Sequence, residues 1–551
     1  MESPPTSPFP PDIEAHVWRG LRQISGQLKV GLLMRETDRT EQWASRVIWL
    51  LIAEPCVKLE VVFRLHGVPE PRDSSSALFK VVHRASAQHY APFRKVSLSV
   101  KPACCFVDLQ FAANGEVSED TAAKIKSREL DVLIWLESEP LPVASGEFTR
   151  LGVWSFRMGR PDSALSRPPY WSDVLDEQQV SEITLLRHTS GCRGVQAIGS
   201  HVAATDPSWR FTQTAEQMTS IAGPLLLRGL LDALDDERAF LSNLPPCTTL
   251  ERTLSHDPSA TETARFLAAR MKHSVRVRSG ERRGMHRKWF SAIRNRQEHE
   301  FTANSGEAFR ELPRPIGSEY ADPFLLERRG RHWLCFEEVP PGRDIGRLSM
   351  AELKDDGTMN QPFVILEKPY HLSYPMVFEH GDDVYFVPES AQAKVVELYR
   401  ATDFPVKWEL TSTLMKGIPL VDTTVFFHDD CWFFFTTTRA PVIETFLFYA
   451  DRLEGTWQYH PRNPICSDVR RARGAGALYF RGGKLIRPSQ DSSINYGGAI
   501  VLNEIKRLSK TEYREEPIHR IHADWSPGLL GTHTINSDSK FEVIDGVRWE
   551  R

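Results

Sequence analysis

This 551-residue chain has no long apolar run, no C-x-x-C cysteine pair and little net charge. Its most apolar short stretch, VIWLLIA at Val47 to Ala53, is too short to cross a bilayer, so no transmembrane segment is expected. The opening MESPPTSPFPPDIE lacks the basic start and apolar stretch of a secretory signal. Its prolines mark residues 1–26 as a disordered lead-in, and the expected location is the cytosol. Cys56, Cys104, Cys105, Cys192, Cys247, Cys335, Cys431 and Cys466 include no C-x-x-C pair. That spacing argues against zinc or a disulfide framework, so no metal is expected and most of these residues read as buried reduced thiols. With 68 basic and 72 acidic residues there is no strong nucleic-acid signal. No G-x-G-x-x-G follows the first apolar strand, which leaves a dinucleotide site without its phosphate loop.

What the chain does contain is two differently patterned halves, as its length suggests. LKVGLLM reads as a buried strand, WASRVIWLLIAE as an amphipathic helix and LEVVFRL as a second strand, which together start a βαβ unit. EDTAAKIKSRELDVLIWLES repeats the helix-then-strand order, and LGVWSF adds a further strand. The expectation is a doubly wound α/β domain over residues 27–240.

The succession LDVLIWLES, LGVWSFRMGRPDSALSRPPYWSDVL and ITLLRHTSGCRGVQAIGSHVA, with PPYW at Pro168 to Trp171, resembles the formyltransferase fold of methionyl-tRNA and amino-sugar formyltransferases. The resemblance implies an Asn-x-His and a later Asp that hold formyltetrahydrofolate and manage the proton of the attacking amine. The matching positions here are Ser155, Arg157 and Cys192. Arginine is no base near neutral pH, and serine and cysteine lack the amide and carboxylate, so the formyl-transfer site reads as degenerate.

Residues 241–286 read as a linker. Arginine is dense from Arg276 to Arg296, either as a phosphate-binding patch or, as is commoner, as a solvated connector, because the basic residues alternate with Gly, Ser and Glu.

From residue 287 onward one template recurs. YADPFLLERRGRHWLCFEE (320–338), SYPMVFEHGDDVYFVPES (373–390), VDTTVFFHDDCWFFFTT (421–437) and GAGALYFRGGKLIRPSQD (474–491) each carry a polar start, an apolar strand, a turn and a second apolar strand. GTHTINSDSKFEVIDG (531–546) is a weaker fifth copy. Repeats near 50 residues with several short strands predict a five-bladed β-propeller over residues 287–551, with KWFSAIRN closing the ring. Asp322, Tyr374, Asp422 and Ala475 align at the start of successive innermost strands.

ADPF, HLSYP, PES, RPSQD with YGGAI, and GTHT together resemble the propeller domain that precedes the glycosyltransferase in glucosamine inositolphosphorylceramide transferases. More distantly, five blades with an Asp in the first resemble glycoside hydrolases of the arabinanase and β-xylosidase type. That second resemblance implies an Asp base, a later Asp that tunes pKa, and a Glu acid. Asp322 matches the base and Asp422 the tuning residue, while the acid position in blade four holds GAGAL, leaving Glu389 as substitute. Glycoside hydrolysis needs two flanking carboxyl groups, so Asp322, Glu389 and Asp422 are the catalytic candidates. Asp322 and Asp422 read equally well as strand-start carboxylates bonded to backbone amides. His371, Arg487, Gln490, Asp491, Tyr496 and His533 are the candidate substrate contacts.

The expected function is carbohydrate binding or processing in the propeller cavity, with a sugar, nucleotide sugar or glycolipid headgroup as partner. If the chain is an enzyme, glycosyl transfer or hydrolysis is favoured over formyl transfer. The alternatives are an N-formyltransferase acting on an amino sugar and a non-catalytic assembly platform. No cofactor is expected, formyltetrahydrofolate belonging only to the formyltransferase alternative.

Overall fold

The computed structural model describes residues 14–18, 22, 24–36, 39–66, 73–88, 90–97, 105–110, 117–141, 148–162, 165–189, 194–208, 210–248, 257–281, 285–297 and 308–550. The chain divides into two units. One contains residues 1–13 and 22–277, and the other residues 14–21 and 278–551.

The first unit is built on a seven-stranded mixed sheet. Its strand order is Cys105–Gln110, Val57–His66, Leu28–Met34, Val132–Trp135, Val153–Met158, Val180–His188 and Val195–Ala204. The first five run parallel, and the last two pair antiparallel. The central parallel strands Leu28–Met34, Val132–Trp135 and Val153–Met158 are almost wholly buried, as strands covered on both faces are. Helix Gln42–Ala53 buries Trp43, Ala44, Val47, Ile48, Leu50 and Leu51, the spacing of one helical face. Gly223 of helix Ala222–Asp235 lies against Leu50, and Gly229 of that helix meets Trp154 and Leu185 of the sheet. Helix Glu119–Lys126, capped by Ser118 accepting the Thr121 amide at 3.2 Å, packs Ile125 on the sheet with Phe63, Leu133 and Trp135.

Two boundary expectations are corrected. Residues 241–286 are not simply a connector, because Ala260–Glu281 is helical and buries Phe266 against Trp171 and Phe211. The lead-in is not wholly disordered either. Glu14–Val17 forms a helical turn in the second unit, and Trp18 is buried with its ring 5.3 Å from Phe446 and 4.7 Å from Phe448. Residues 1–13 lie outside the described residues.

The second unit is the five-bladed propeller. Four blades have four strands each, within residues 319–366, 373–416, 420–459 and 479–522. The fifth joins the two ends of the unit, since His286–Asn295, which contains KWFSAIRN, pairs antiparallel with Phe541–Glu550 along its whole length. This pairing closes the ring and leaves no terminal strand edge open. A buried ion pair, Arg294 Nε to Glu542 Oε2 at 2.8 Å, crosses the closing pair, and Arg481 Nη1 of blade four reaches the other Glu542 oxygen at 3.2 Å. Apolar faces of neighbouring blades fill the space between them: Trp333, Met376, Phe386, Phe434 and Phe448 belong to one continuous core.

The cysteine reading is corrected at two positions. Cys335, Cys431 and Cys466 are buried free thiols, but Cys105 is exposed and Cys247 is disulfide-bonded.

Candidate functional site

In blades one to three the pairing between the first two strands skips two residues, from Ala321 to Phe324, Ser373 to Met376 and Val421 to Thr424. The first residue of each gap is Asp322, Tyr374 or Asp422, with φ of 48°, 43° and 48°. Side chains with a Cβ resist this left-handed conformation, so its threefold repetition requires compensating bonds. Those bonds run from blade to blade. Asp545 Oδ2 accepts the Asp322 amide at 3.2 Å, and Asp322 Oδ2 accepts the Tyr374 amide at 3.1 Å. Asp322 Oδ1 takes the Thr534 hydroxyl at 2.6 Å. The Tyr374 hydroxyl, buried, receives the Gly476 amide at 2.8 Å and lies 3.0 Å from Thr424 Oγ1.

A second ring sits at the ends of the second strands. Glu337 pairs with Ala321, Glu389 with Ser373, Thr437 with Val421 and Ser489 with Gly474. In the fifth blade the register that joins Ile535 to Ile544 puts Asp545 opposite Thr534. Five carboxyl groups are therefore supplied by these two rings: Asp322, Asp422, Glu337, Glu389 and Asp545. Sequence reasoning missed Glu337 and Asp545. Glu337, Glu389 and Thr437 each follow Asp322, Tyr374 and Asp422 by fifteen residues, and that offset was the signal for Glu337. Asp545 sits in the weak fifth copy, where the offset is lost.

Two cations balance these groups. Arg473, from the loop before blade four, bonds Asp422 through Nε, reaches its other oxygen through Nη2 at 3.4 Å, and lies 3.7 Å from Glu389 Oε2. Burial disfavours its charge, but Asp422, Tyr496 and Glu389 together overcome this and raise its pKa. Gln490 Nε2 adds contacts to Asp422 at 3.5 Å and to the Gly474 carbonyl at 2.8 Å. Burial first, then the neighbouring Asp422, pushes the Glu389 carboxyl up to about 8, against the pull of Arg473. Glu389 therefore carries a proton at neutral pH beside Arg473-bound Asp422. Burial, and then Asp322, Glu389 and other carboxylates, raise the Glu337 pKa as well.

His533 supplies the other positive charge. Its Nδ1 lies 2.6 Å from Asp545 Oδ2 and its Nε2 3.8 Å from Asp322 Oδ1. Burial disfavours the imidazolium, but Asp545 and Asp322 overcome this and raise its pKa. Asp322 is pushed up by burial, with His533 opposing and Asp545 and Asp422 adding to the rise. Asp322, His533 and Asp545 present ligand atoms within 4.8 Å of one another and are the residues that could hold a metal ion. The same atoms are already used. Asp545 Oδ1 accepts the His533 and Thr534 amides at 2.8 and 3.0 Å, and its Oδ2 meets His533 and the Asp322 amide. The imidazolium thus serves as the counter-charge there.

Aromatic rings stand beside this charged floor. Trp289 stacks on His533 with centroids 3.9 Å apart, and Tyr496 meets the edges of both. Arg473 lies over the Tyr496 ring at 4.8 Å. His371 contacts the group from one side: its Nδ1 accepts the Gly346 amide at 2.9 Å, leaving the ring proton on Nε2, 3.4 Å from Glu337 Oε1. Burial, and then Arg439, lower its pKa and keep it neutral.

Two predicted contacts are corrected. Arg487 turns away into blade four, giving Glu515 two bonds of 2.8 Å that Tyr513 supplements. Asp491 pairs with Arg520 at 2.5 Å and accepts the Ser493 amide at 2.9 Å, which fixes a turn. Their strand alternates faces, so its members cannot all look one way.

In the first unit Ser155 and Arg157 are buried side chains of strand Val153–Met158. Ser155 Oγ is 2.7 Å from His188 Nε2, while Arg157 Nη2 donates to the Arg160 and Pro161 carbonyls at 2.8 and 3.3 Å. Burial pushes His188 down to about 4, so it is neutral. Cys192 lies outside the described residues.

Residues 315–526 match the family described as glucosamine inositolphosphorylceramide transferase 1, N-terminal. The curated relatives bear the name glucosamine inositolphosphorylceramide transferase 1. The Oryza sativa subsp. japonica protein is 35% identical over 207 residues, 36% of this chain and 28% of the relative. The Arabidopsis thaliana protein is 35% identical over 205 residues, 35% of this chain and 26% of the relative. The chain thus spans little more than a quarter of these relatives. Among solved structures, similarity extends to Zg3597, a family 117 glycoside hydrolase of Zobellia galactanivorans, with TM-score 0.32, 11% identity, and coverage of 47% of this chain and 91% of that one. It extends also to a Cellvibrio cellulosa α-L-arabinanase complexed with arabinohexaose, with TM-score 0.29, 9% identity, and coverage of 36% and 77%. The cytosolic expectation is corrected by the relatives: they are named for transfer to an inositolphosphorylceramide, a membrane lipid, and that does not accord with a cytosolic assignment. No helix among the described residues is long and apolar enough to cross a membrane.

Proposed function

We propose that the propeller recognises the sugar or inositol headgroup of a glycolipid at its axis, as one module of a carbohydrate-processing protein. The observation that carries this reading is protonated Glu389 beside Arg473-bound Asp422, with Tyr496 and Trp289 standing close by. A protonated carboxyl, a carboxylate and a guanidinium offer donors and acceptors to vicinal hydroxyls, and aromatic rings cover the apolar face of a sugar. The name shared by the relatives, whose matched segment contains most of this site, supports the same ligand class.

Glu389 also has the protonation state of a general acid, which favours glycosyl transfer or hydrolysis over formyl transfer if the site turns over substrate. Asp322 is a poor base, because both its oxygens already hold Thr534 and the Tyr374 amide. Binding is therefore the primary role we assign. It calls for no cofactor. The first unit we infer to be a formyltransferase-like scaffold inert in formyl transfer, since Arg157 spends its guanidinium on carbonyls and supplies no base.

The test is isothermal titration of the full chain with glucosamine, myo-inositol 1-phosphate and a uridine-diphosphate sugar, repeated with Asp422→Asn. Saturable binding of at least one that weakens in the variant supports the reading. Absence of binding to all three, or equal binding by the variant, overturns it.

A further inference from the structure

The propeller face that bears the axial site carries exposed apolar side chains. Ile316 is 96% exposed, Ile494 71% and Tyr496 48%, in a protein whose other large apolar residues mostly lie in its cores. Monomeric proteins expose single apolar residues commonly, so position decides their meaning. The strands of each blade alternate in direction. Loops that enter the first strand, and loops that join the second to the third, therefore share one end of the propeller. Ile316 lies in the loop entering blade one, and Ile494 and Tyr496 lie between the second and third strands of blade four. Asp322, Glu389 and Asp422 stand at that same end, at first-strand starts and a second-strand terminus. Lys394 and Arg439, in the second-to-third loops of blades two and three, are exposed there too, with no ion-pair partner among the described residues.

We infer that this face docks on an anionic lipid bilayer, with Ile316 and Ile494 entering the headgroup–acyl boundary and Lys394 and Arg439 contacting lipid phosphates. Branched aliphatic tips that share one end of the propeller with unpaired cations match the chemistry of an interfacial anchor. Such docking directs the axial site at the headgroup of a membrane-resident lipid, so the inference rests on the proposed ligand class for its purpose. Its physical test does not.

The experiment is co-sedimentation of the full chain with phosphatidylcholine vesicles, with and without phosphatidylserine. The expected result is binding that requires phosphatidylserine, weakens with salt, and falls on the order of tenfold or more in the Ile316→Ser/Ile494→Ser double variant. An unchanged melting temperature shows that the double variant remains folded. Lys394→Gln/Arg439→Gln should reduce the salt-sensitive part alone. No sedimentation of the wild type, or equal sedimentation of the double variant, overturns the inference. So does a wild-type dimer that the double variant dissociates, because the face would then pair two copies. Asp422→Asn should still sediment. Vesicle binding by the wild type without saturable binding of any of the three sugar probes sinks only the axial reading, and sugar binding without vesicle binding sinks only the docking face.

Discussion

Asp322 Oδ2 accepts the backbone amide of Tyr374 at 3.1 Å, joining blade one to the strained start of blade two, while Asp322's own amide is held by Asp545. The carboxylate is thus a link in a chain of blade-to-blade bonds. Asp322→Asn replaces a charge-assisted bond by a neutral one and places an amide donor where Thr534 and the Tyr374 amide already donate. The expected loss is about 1–3 kcal/mol, read by denaturant unfolding. Unchanged stability with lost ligand affinity would instead place Asp322 in direct contact with ligand.

The pH dependence of stability should carry the signature of Glu389. Its carboxyl is raised from 4.5 to about 8 in the folded protein, so the native state holds a proton that the unfolded chain releases. Stability from this group is fully present below about pH 4.5 and is lost as pH rises through about 8. Glu389→Gln, which cannot ionise, should flatten the stability profile over this window and be relatively more stable at its alkaline end. Urea melts at several pH values measure the slope. Parallel profiles for wild type and variant would show that Glu389 does not hold the proton.

Arg473 is the residue whose removal should be most damaging, because it leaves the Asp422 carboxylate buried without its counter-charge. Arg473→Met should cost on the order of 3–5 kcal/mol. Adding Asp422→Asn should recover part of that loss, since the stranded charge goes with it. A double-mutant cycle on unfolding free energies reads the coupling, and additive losses would mean that the pair does not interact as its geometry indicates.

The blades were legible in the sequence because strand, turn and strand recur with their polar starts intact, and the same periodicity placed Asp322 and Asp422 at equivalent first-strand starts, with Glu389 at the end of blade two's inner hairpin. Arg473 was not, since it comes from a loop outside the repeat, and only the fold brings it to Asp422. Arg487 failed for a different reason. It lies among residues that do reach the axis, but facing within a strand follows alternation and pairing, and its partner Glu515 is 28 residues away. In the first half, apolar runs gave the strands and helices, whereas the antiparallel turn of the last two strands left no compositional mark.

Formyl transfer by the first unit should be absent, and Arg157→His alone should not create it. Ser155 and the neutral His188 are bound to each other, and catalytic groups that act together are not restored singly. Incubation with formyltetrahydrofolate and an amino sugar, followed by mass analysis, should show no formylated product from either protein. Product from the wild type would overturn the scaffold reading.

The propeller should depend on a residue far from its repeats in sequence. Trp18 is 1% exposed and its ring meets Phe446 and Phe448, two residues of blade three's third strand. The adjacent His16 Nδ1 lies 2.8 Å from Glu444 Oε2, a fully buried carboxylate just before that strand. Trp18→Ala removes a large aromatic surface and leaves a cavity against the two phenylalanines, so the expected cost is about 3–5 kcal/mol. Trp18→Phe, which keeps a ring in the same space, should cost markedly less. The measurement is chemical denaturation of the full chain followed by far-ultraviolet circular dichroism, where the β-rich unit has its own transition if the units unfold separately. A β transition unmoved by Trp18→Ala would mean that residues 14–18 only rest on the blade and contribute nothing to its stability.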